Sequence, residues 1–243
     1  MQETHYPHLA SKQDTVGMMH APFSVIYEDD RLLVVDKPAG VPTMGVAQGK
    51  RSLLTDAQMY IRNKYNKTGD VYLGIVSRLD APVTGVIVLA RTRETTRHLI
   101  EHSRAGTVDK IYWAVVESEP EPESGECTDW LIPDKRHRKV HVGPAEADGA
   151  KKARLEYRTL RKVRGGVLLE VRLITGRKHQ IRAQLAQLGL AIIGDRKYGS
   201  RRMLERGIGL HARQLRIEHP VSKTPLELTA PVPKSWLELG VRE

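Results

Sequence analysis

The apolar residues of this chain come in short runs, and that constrains its fold more than any other feature. The longest, such as Val86–Ala90, are only a few residues long. A membrane-spanning helix needs about 20, so no such helix is expected. Runs of this length read as strands or as the buried faces of short helices. Val25-Ile26-Tyr27 and Leu32-Leu33-Val34-Val35 predict two strands joined by a Glu28–Arg31 turn. Gly85–Arg91 predicts a buried strand. Lys110–Val116 predicts another, with Ile111, Trp113 and Val115 on one face and Tyr112, Ala114 and Val116 on the other. Ala153–Leu160 and Val167–Ile174 predict a hairpin about Arg164-Gly165-Gly166, and Leu210–Ile217 and Pro225–Thr229 predict closing strands. Helical spacing is rarer. It predicts helices over Ser52–Asn63, Glu94–His102 (ended by Gly106) and about His179–Leu188, the last with an Ile181, Leu185, Leu188 stripe and Gly189 as its stop. Strands that outnumber helices and follow one another in sequence predict an α+β fold with a mixed, largely antiparallel central sheet flanked by helices and loops.

Residues 1–22 carry no periodic apolar pattern and read as a flexible N-terminal arm, without the basic start and apolar stretch of a signal peptide. Residues 23–243 are expected to form the single folded domain. The acidic, proline-containing stretch 117–126 reads as a surface loop. Cys127 is the one cysteine, so an intrachain disulfide and a cysteine-based zinc site are excluded, and the cytoplasm is the expected location. Lys and Arg number 39 against 29 Asp and Glu, a net charge of +10. The surplus is concentrated in residues 151–216, which hold 18 basic and 4 acidic residues. Such a field attracts polyanions, or is simply a solvated basic face. Aromatic residues make up 5%, which counts against a stacking platform for single strands.

Two segments stand out as places for chemistry. Asp80 lies in a Pro/Gly loop just before the buried strand, where a carboxylate either meets a ligand or caps a turn. Thr175–Arg182 runs from a strand through Thr-Gly into a helix whose start carries Arg177, Lys178, His179 and Gln180, a setting that favours anions. Arg182 neighbours Ile181 of the apolar stripe, so its guanidinium is solvated or sits at the edge of the buried face. An unpaired charge at that edge is costly, and a buried carboxylate partner would answer the cost. No Gly-x-x-x-x-Gly-Lys-Ser/Thr, Gly-x-Gly-x-x-Gly, Gly-x-Ser-x-Gly or His-Glu-x-x-His pattern occurs. The ten histidines form no ligand set by spacing, and His137 and His141 fall in a segment with Pro133, Gly143 and Pro144, so no metal is expected.

Taken together these segments resemble the RluA-type pseudouridine synthases. Asp36-Lys37-Pro38-Ala39-Gly40, Arg78-Leu79-Asp80 with Thr84-Gly85, Lys110-Ile111-Tyr112, Thr175–Arg182, Gly194–Gly199 and Leu210-His211-Ala212 with His219-Pro220 follow the family's order over residues 24–233. The chain departs from the family at Ser77, where His is usual, and at Val83-Thr84-Gly85, where Thr-Ser-Gly is usual. The N-terminal arm is too short for the S4 RNA-binding domain of many relatives. The resemblance implies isomerisation of uridine in ribosomal or transfer RNA with no cofactor and no metal, and a monomer that binds RNA and no membrane is expected. It implies that Asp80 is the catalytic carboxylate, acting on the ribose as nucleophile or as base. Arg182 would pair with Asp80, and Tyr112 would pack on the base or move a proton. Arg78, Lys110, Arg177, Lys178, His179 and Gln180 would contact RNA, Arg78 either at the phosphate backbone or in the stack that the flipped base vacates. A non-catalytic RNA-binding or ribosome-assembly protein is the alternative. A glycoside hydrolase wants two carboxylates, and the Asp80 loop offers one.

Overall fold

The computed structural model describes residues 22–243, except Val46 and Gln48. The arm expected over residues 1–22 lies, apart from Pro22, outside the described residues. The chain enters the fold as an antiparallel pair, β1 (Ser24–Glu28) and β2 (Leu32–Lys37). Asp29 makes the turn between them, because its carboxylate accepts the backbone N–H groups of Arg31 and Leu32, both at 2.7 Å. Next come α1 (Leu53–Lys64), a short β3 (Gly74–Ile75), β4 (Thr84–Ala90), α2 (Arg93–Ala105) and β5 (Asp109–Val116). After them run β6 (Ser124–Asp134), β7 (Lys139–Gly143), β8 (Lys151–Val163), β9 (Gly166–Leu173), α3 (Gln180–Gln187), β10 (Leu210–Glu218) and β11 (Pro225–Thr229).

The strands form one sheet in the order β1-β2-β4-β10-β5-β9-β8-β6-β7, with β3 added to β4 and β11 to β10. Only β4 and β10 pair in parallel. This is the expected α+β architecture. All seven residues of β4 are buried, as its unbroken apolar run implies for a central strand. The helices start and stop where their caps dictate. Ser52 and Thr55 form a reciprocal capping box on α1. Thr92 caps α2, and Gly106 closes it in the left-handed conformation.

Three expectations need correction. Residues 124–126 are not surface loop but the start of β6, and neither β6 nor β7 was read as a definite strand. The inward positions of β6 are Gly125, Cys127, Asp129 and Leu131, of which only Cys127 and Leu131 are buried. A glycine or an aspartate at every second inward position erases the alternation that marks a strand. Finally, Leu188 is 49% exposed and forms no part of the buried face of α3. That helix buries Gln180 through Leu185 without interruption, because it is wedged against β6, β7 and the active cleft rather than laid on one surface.

The parallel crossing of β4 and β10 is tight. Gly85 sits at φ +114°, and an added Cβ would run into the backbone of Ala212. Gly85→Ala is expected to destabilise the protein by about 2–4 kcal/mol, from backbone strain and overpacking together. Chemical denaturation measures this.

Next to that crossing, the fully buried His211 receives or donates at Nδ1 to the Thr84 hydroxyl at 2.8 Å. Burial pushes its ring down to about 4. Burial does the same to His179, also to about 4. Between pH 6.5 and 4 the unfolded chain therefore binds these protons and the folded chain does not, so stability falls as the medium is acidified. Asp36 works the other way, since burial raises its carboxyl to about 6. Two imidazoles outweigh one carboxyl. From pH 7 to pH 5 the unfolding free energy is expected to drop, on the order of 2 kcal/mol, as read from urea midpoints at the two pH values.

Candidate active site

The loop before β4 holds Asp80, and buried polar groups pin it on both sides. On one side Leu79 is clamped by Thr43, whose hydroxyl donates to the Leu79 carbonyl at 2.8 Å and accepts its N–H at 3.1 Å. On the other, Ala81 accepts from the Gly40 N–H at 2.8 Å and from the Lys37 ammonium at 3.1 Å. Lys37 has no exposed surface. Its two other donors go to the carbonyls of Pro38 at 2.8 Å and Val41 at 2.7 Å. A buried ammonium is tolerated because all three N–H groups are satisfied. Burial nonetheless lowers it to about 8.

Arg182 comes to Asp80 from the first turn of α3. Its Nη1 donates to Asp80 Oδ2 at 2.8 Å. Its Nε and Nη2 form a two-pronged bridge to Asp195, at 2.6 and 2.8 Å. Asp195 is 2% exposed and precedes the short 3-10 helix Arg196–Tyr198. Burial opposes the charge of Arg182, but the hydrogen bonds it donates to the two carboxylates, together with their charge, more than offset it and hold the guanidinium above its ordinary value. The Tyr198 ring lies 4.9 Å from the guanidinium carbon, a cation–π contact. The cost of burying an arginine is thus met by Asp195, and Asp80 uses the remaining edge of the fork.

His179 completes the cluster. Its Nε2 lies 3.6 Å from Asp80 Oδ2, and its Nδ1 is 2.9 Å from the Tyr198 hydroxyl. That hydroxyl accepts the Val140 N–H at 3.0 Å. All three groups are satisfied when Tyr198 donates to Nδ1, which puts the imidazole proton on Nε2, facing Asp80. His179 holds φ +52°, in the left-handed region.

Tyr112, on β5 opposite Ala212, is partly buried. Burial first, and the charge of Asp80 second, raise its phenol, so it is neutral at physiological pH.

These groups line a cleft of about 900 Å³. Among the described residues six cations contribute to its wall, namely Arg78, Arg104, Lys110, Arg177, Lys178 and Arg182, and Asp80 is the lone carboxylate there. Arg78 and Lys178 are exposed. Lys110 donates to Ser103 Oγ at 2.9 Å, and Arg177 to the Lys152 carbonyl at 3.0 Å. Gln180 is placed differently from the expected RNA contact. It is 2% exposed, and its amide is spent inside the turn: Oε1 accepts from Thr175 Oγ1 and the Arg177 N–H, and Nε2 donates to the Arg154 carbonyl. Ser77 lines the cleft, Val83 is buried, and Thr84 bonds His211.

The sequence reading missed Lys37, Arg104, Asp195 and Tyr198 as members of this site. Two of the family-like segments, Asp36–Gly40 and Gly194–Gly199, contain three of them, and nothing local says that they converge. The basic surplus of 151–216 is also less free than its count suggests. Arg154 pairs with Glu126, Lys162 with Glu119, Arg172 with Asp109, Arg213 with Glu243 and Arg216 with Glu227, all acids from outside the segment.

The profile of the family described as RNA pseudouridylate synthase matches residues 31–187. The chain is 36% identical to the ribosomal large subunit pseudouridine synthase D of Xanthomonas campestris pv. campestris, over 90% of this chain and 68% of that protein. It is 33% identical to the enzyme of the same name from Pseudomonas aeruginosa, over 88% of this chain and 70% of that protein. Human RNA pseudouridylate synthase domain containing 4 superposes with a TM-score of 0.74 at 26% identity, covering 90% of this chain and 94% of that one. A sheet of this topology, an Asp–Arg–Asp cluster in a cationic cleft and these likenesses agree: the chain belongs to the RNA pseudouridylate synthases, the enzymes that isomerise uridine in RNA to pseudouridine.

Proposed function

We propose that this enzyme modifies uridine in large-subunit ribosomal RNA, with Asp80 as its catalytic carboxylate. The observation that carries the assignment of Asp80 is the 2.8 Å contact from Arg182, because it fixes one oxygen of the only carboxylate in a cationic cleft. Oδ1 has no protein partner among the described residues and is left for the ribose. The reaction breaks the C1′–N1 bond and forms a C1′–C5 bond, and the C5 proton is released. As nucleophile, Oδ1 bonds to C1′ as N1 departs, and the rotated base displaces it through C5. As base, it takes a ribose proton while the base departs and returns it after reattachment. Neither route calls on an electron carrier or a Lewis acid, so the chemistry needs no metal and no cofactor.

The substrate nucleotide must leave its stack to reach Asp80, at a cost of a few kcal/mol that is least in loops. Tyr112 supports the base by packing. As a neutral phenol it donates or relays a proton rather than abstracting one. Tyr112→Phe is expected to lower turnover by less than about tenfold if packing dominates. A loss of several hundredfold in single-turnover assays would assign the role to the hydroxyl instead.

Arg78, Arg104, Lys110, Arg177 and Lys178 make the phosphate contacts. Five neutralised phosphates on single-stranded RNA give a log–log salt slope of about −3.5. Filter binding should therefore weaken roughly 100-fold between 50 and 200 mM salt, and a loss under fivefold would contradict the assignment. The relatives' names support ribosomal RNA over transfer RNA. Tritium released from C5-labelled large-subunit transcripts, and not from transfer RNA, is the expected result; the reverse would overturn the substrate. The single thiol, Cys127, is buried and unpaired, which supports a reducing compartment such as the cytoplasm. No helix among the described residues is long and apolar enough to cross a membrane. A purely RNA-binding role is not favoured, since such a protein has no need of a carboxylate held by a buried arginine.

A further inference from the structure

We propose that His98, His102 and Glu218 form a binding site for one zinc-class divalent transition-metal ion, outside the active cleft. His98 and His102 lie one turn apart on α2, and Glu218 ends β10. The ligand-type atoms of all three lie within 4.8 Å of one another. None of the three lines the cleft. Two imidazoles and one carboxylate are a borderline-soft donor set that suits zinc rather than magnesium or calcium, and three protein ligands leave a fourth position for water. Zinc bonds of about 2.0–2.1 Å place tetrahedral ligand atoms roughly 3.4 Å apart. The ligand atoms therefore need to close by up to about 1.4 Å, a movement within reach of rotations of the half-buried histidines and the exposed glutamate.

Two features of the surroundings point to a cation at this place. The first is that one already stands there. The Lys223 ammonium lies 3.4 Å from His98 Nε2 and 3.5 Å from Glu218 Oε1, so the lone pair of the ring and the carboxylate converge on a single positive charge. Lys223 is exposed and can swing aside. The second is that His102 is already oriented. Its Nδ1 is engaged by Thr107 Oγ1 at 3.0 Å, which leaves Nε2 as the coordinating nitrogen, the arrangement that a ring held from behind provides. A bound ion would tie the last turn of α2 to the end of β10. The next two residues of α2, Ser103 and Arg104, line the cleft, so the ion would hold the wall from which they project.

The spacing of the histidines in sequence did not disclose this site, because Glu218 lies more than a hundred residues beyond them. It does not depend on the substrate assigned above, and its test does not use RNA. Chelator-treated full-length protein is titrated with zinc chloride by calorimetry at pH 7.5. One ion per chain is expected, with binding weakened at least tenfold by His98→Ala or His102→Ala and weakened to a lesser degree by Glu218→Gln. Lys223→Met, which removes the competing ammonium, is expected to tighten binding several-fold, a result that no adventitious surface histidine would give. His137→Ala, at an exposed His–Asp pair elsewhere, is expected to leave the isotherm unchanged. Circular dichroism checks that each variant is folded. The site is refuted if wild-type protein shows no saturable binding up to millimolar zinc, if the His98→Ala/His102→Ala double variant binds as tightly as wild type, or if Lys223→Met weakens binding.

Discussion

Asp80→Asn should abolish tritium release from C5-labelled RNA, by a factor of at least about 10⁴, while RNA affinity changes by no more than a few-fold. The carboxamide is nearly isosteric with the carboxylate. Its oxygen can still accept from Arg182 Nη1, and the loop remains clamped by Thr43 and by Lys37. What is lost is the anionic oxygen that either bonds to C1′ or takes a ribose proton, and both routes fail without it. Affinity is expected to be spared because the phosphate contacts proposed above fall to cationic side chains of the cleft wall, not to Asp80. A variant that still released tritium at a tenth of the wild-type rate would remove Asp80 from the reaction. A variant that lost binding in step with turnover would make it a structural residue of the loop.

Asp195→Ala should have the largest effect on stability of any single change in the site. It strips the two-pronged partner from a guanidinium whose side chain is 5% exposed, leaving only the single bond to the partly exposed Asp80. Removing one member of a buried ion pair costs about 3–5 kcal/mol, mostly because the other charge stays buried without compensation. Turnover should fall as well, since a guanidinium free to rotate no longer holds Asp80 Oδ2 in place. Asp195→Asn keeps one acceptor and should fall between. The companion change, Arg182→Lys, retains a charge but not the planar fork that meets two carboxylates at once. It should depress turnover by more than it depresses RNA affinity. Denaturation and single-turnover assays on the same preparations separate the two quantities. A drop in stability below 1 kcal/mol for Asp195→Ala would mean that water or a rearranged Tyr198 shelters the arginine, and that the triad is not what fixes Asp80.

How much of this was legible in the sequence depended on whether the signal was local. The buried run of β4, the Gly106 stop of α2, and the hairpin between β8 and β9 were readable because the determinant of each lies within a few neighbouring residues. β6 was missed because glycine and aspartate occupy inward positions, and its place in the sheet is supplied by β8 and β7 on either side. Asp80 and Arg182 stood out through their segments, and the argument that a half-buried arginine needs a carboxylate was sound. That need named no partner by itself; the family resemblance supplied Asp80, and the fold adds Asp195 as the two-pronged partner, with Asp80 taking the remaining donor.

By itself, then, the sequence determined the α+β class and most of its strands and helices, because backbone conformation and side-chain periodicity are properties of neighbouring residues. Only the tertiary structure decided which charges are free. Arg154, Arg172 and Arg216 contribute to a basic count in sequence and are met in the fold by Glu126, Asp109 and Glu227. Lys37 reads as a loop lysine and is in fact a buried strut under the Asp80 loop. His98 and His102 acquire a carboxylate from the far end of the chain. Electrostatic energy depends on distance and burial, and for residues a hundred positions apart both are set by how the sheet brings its strands together.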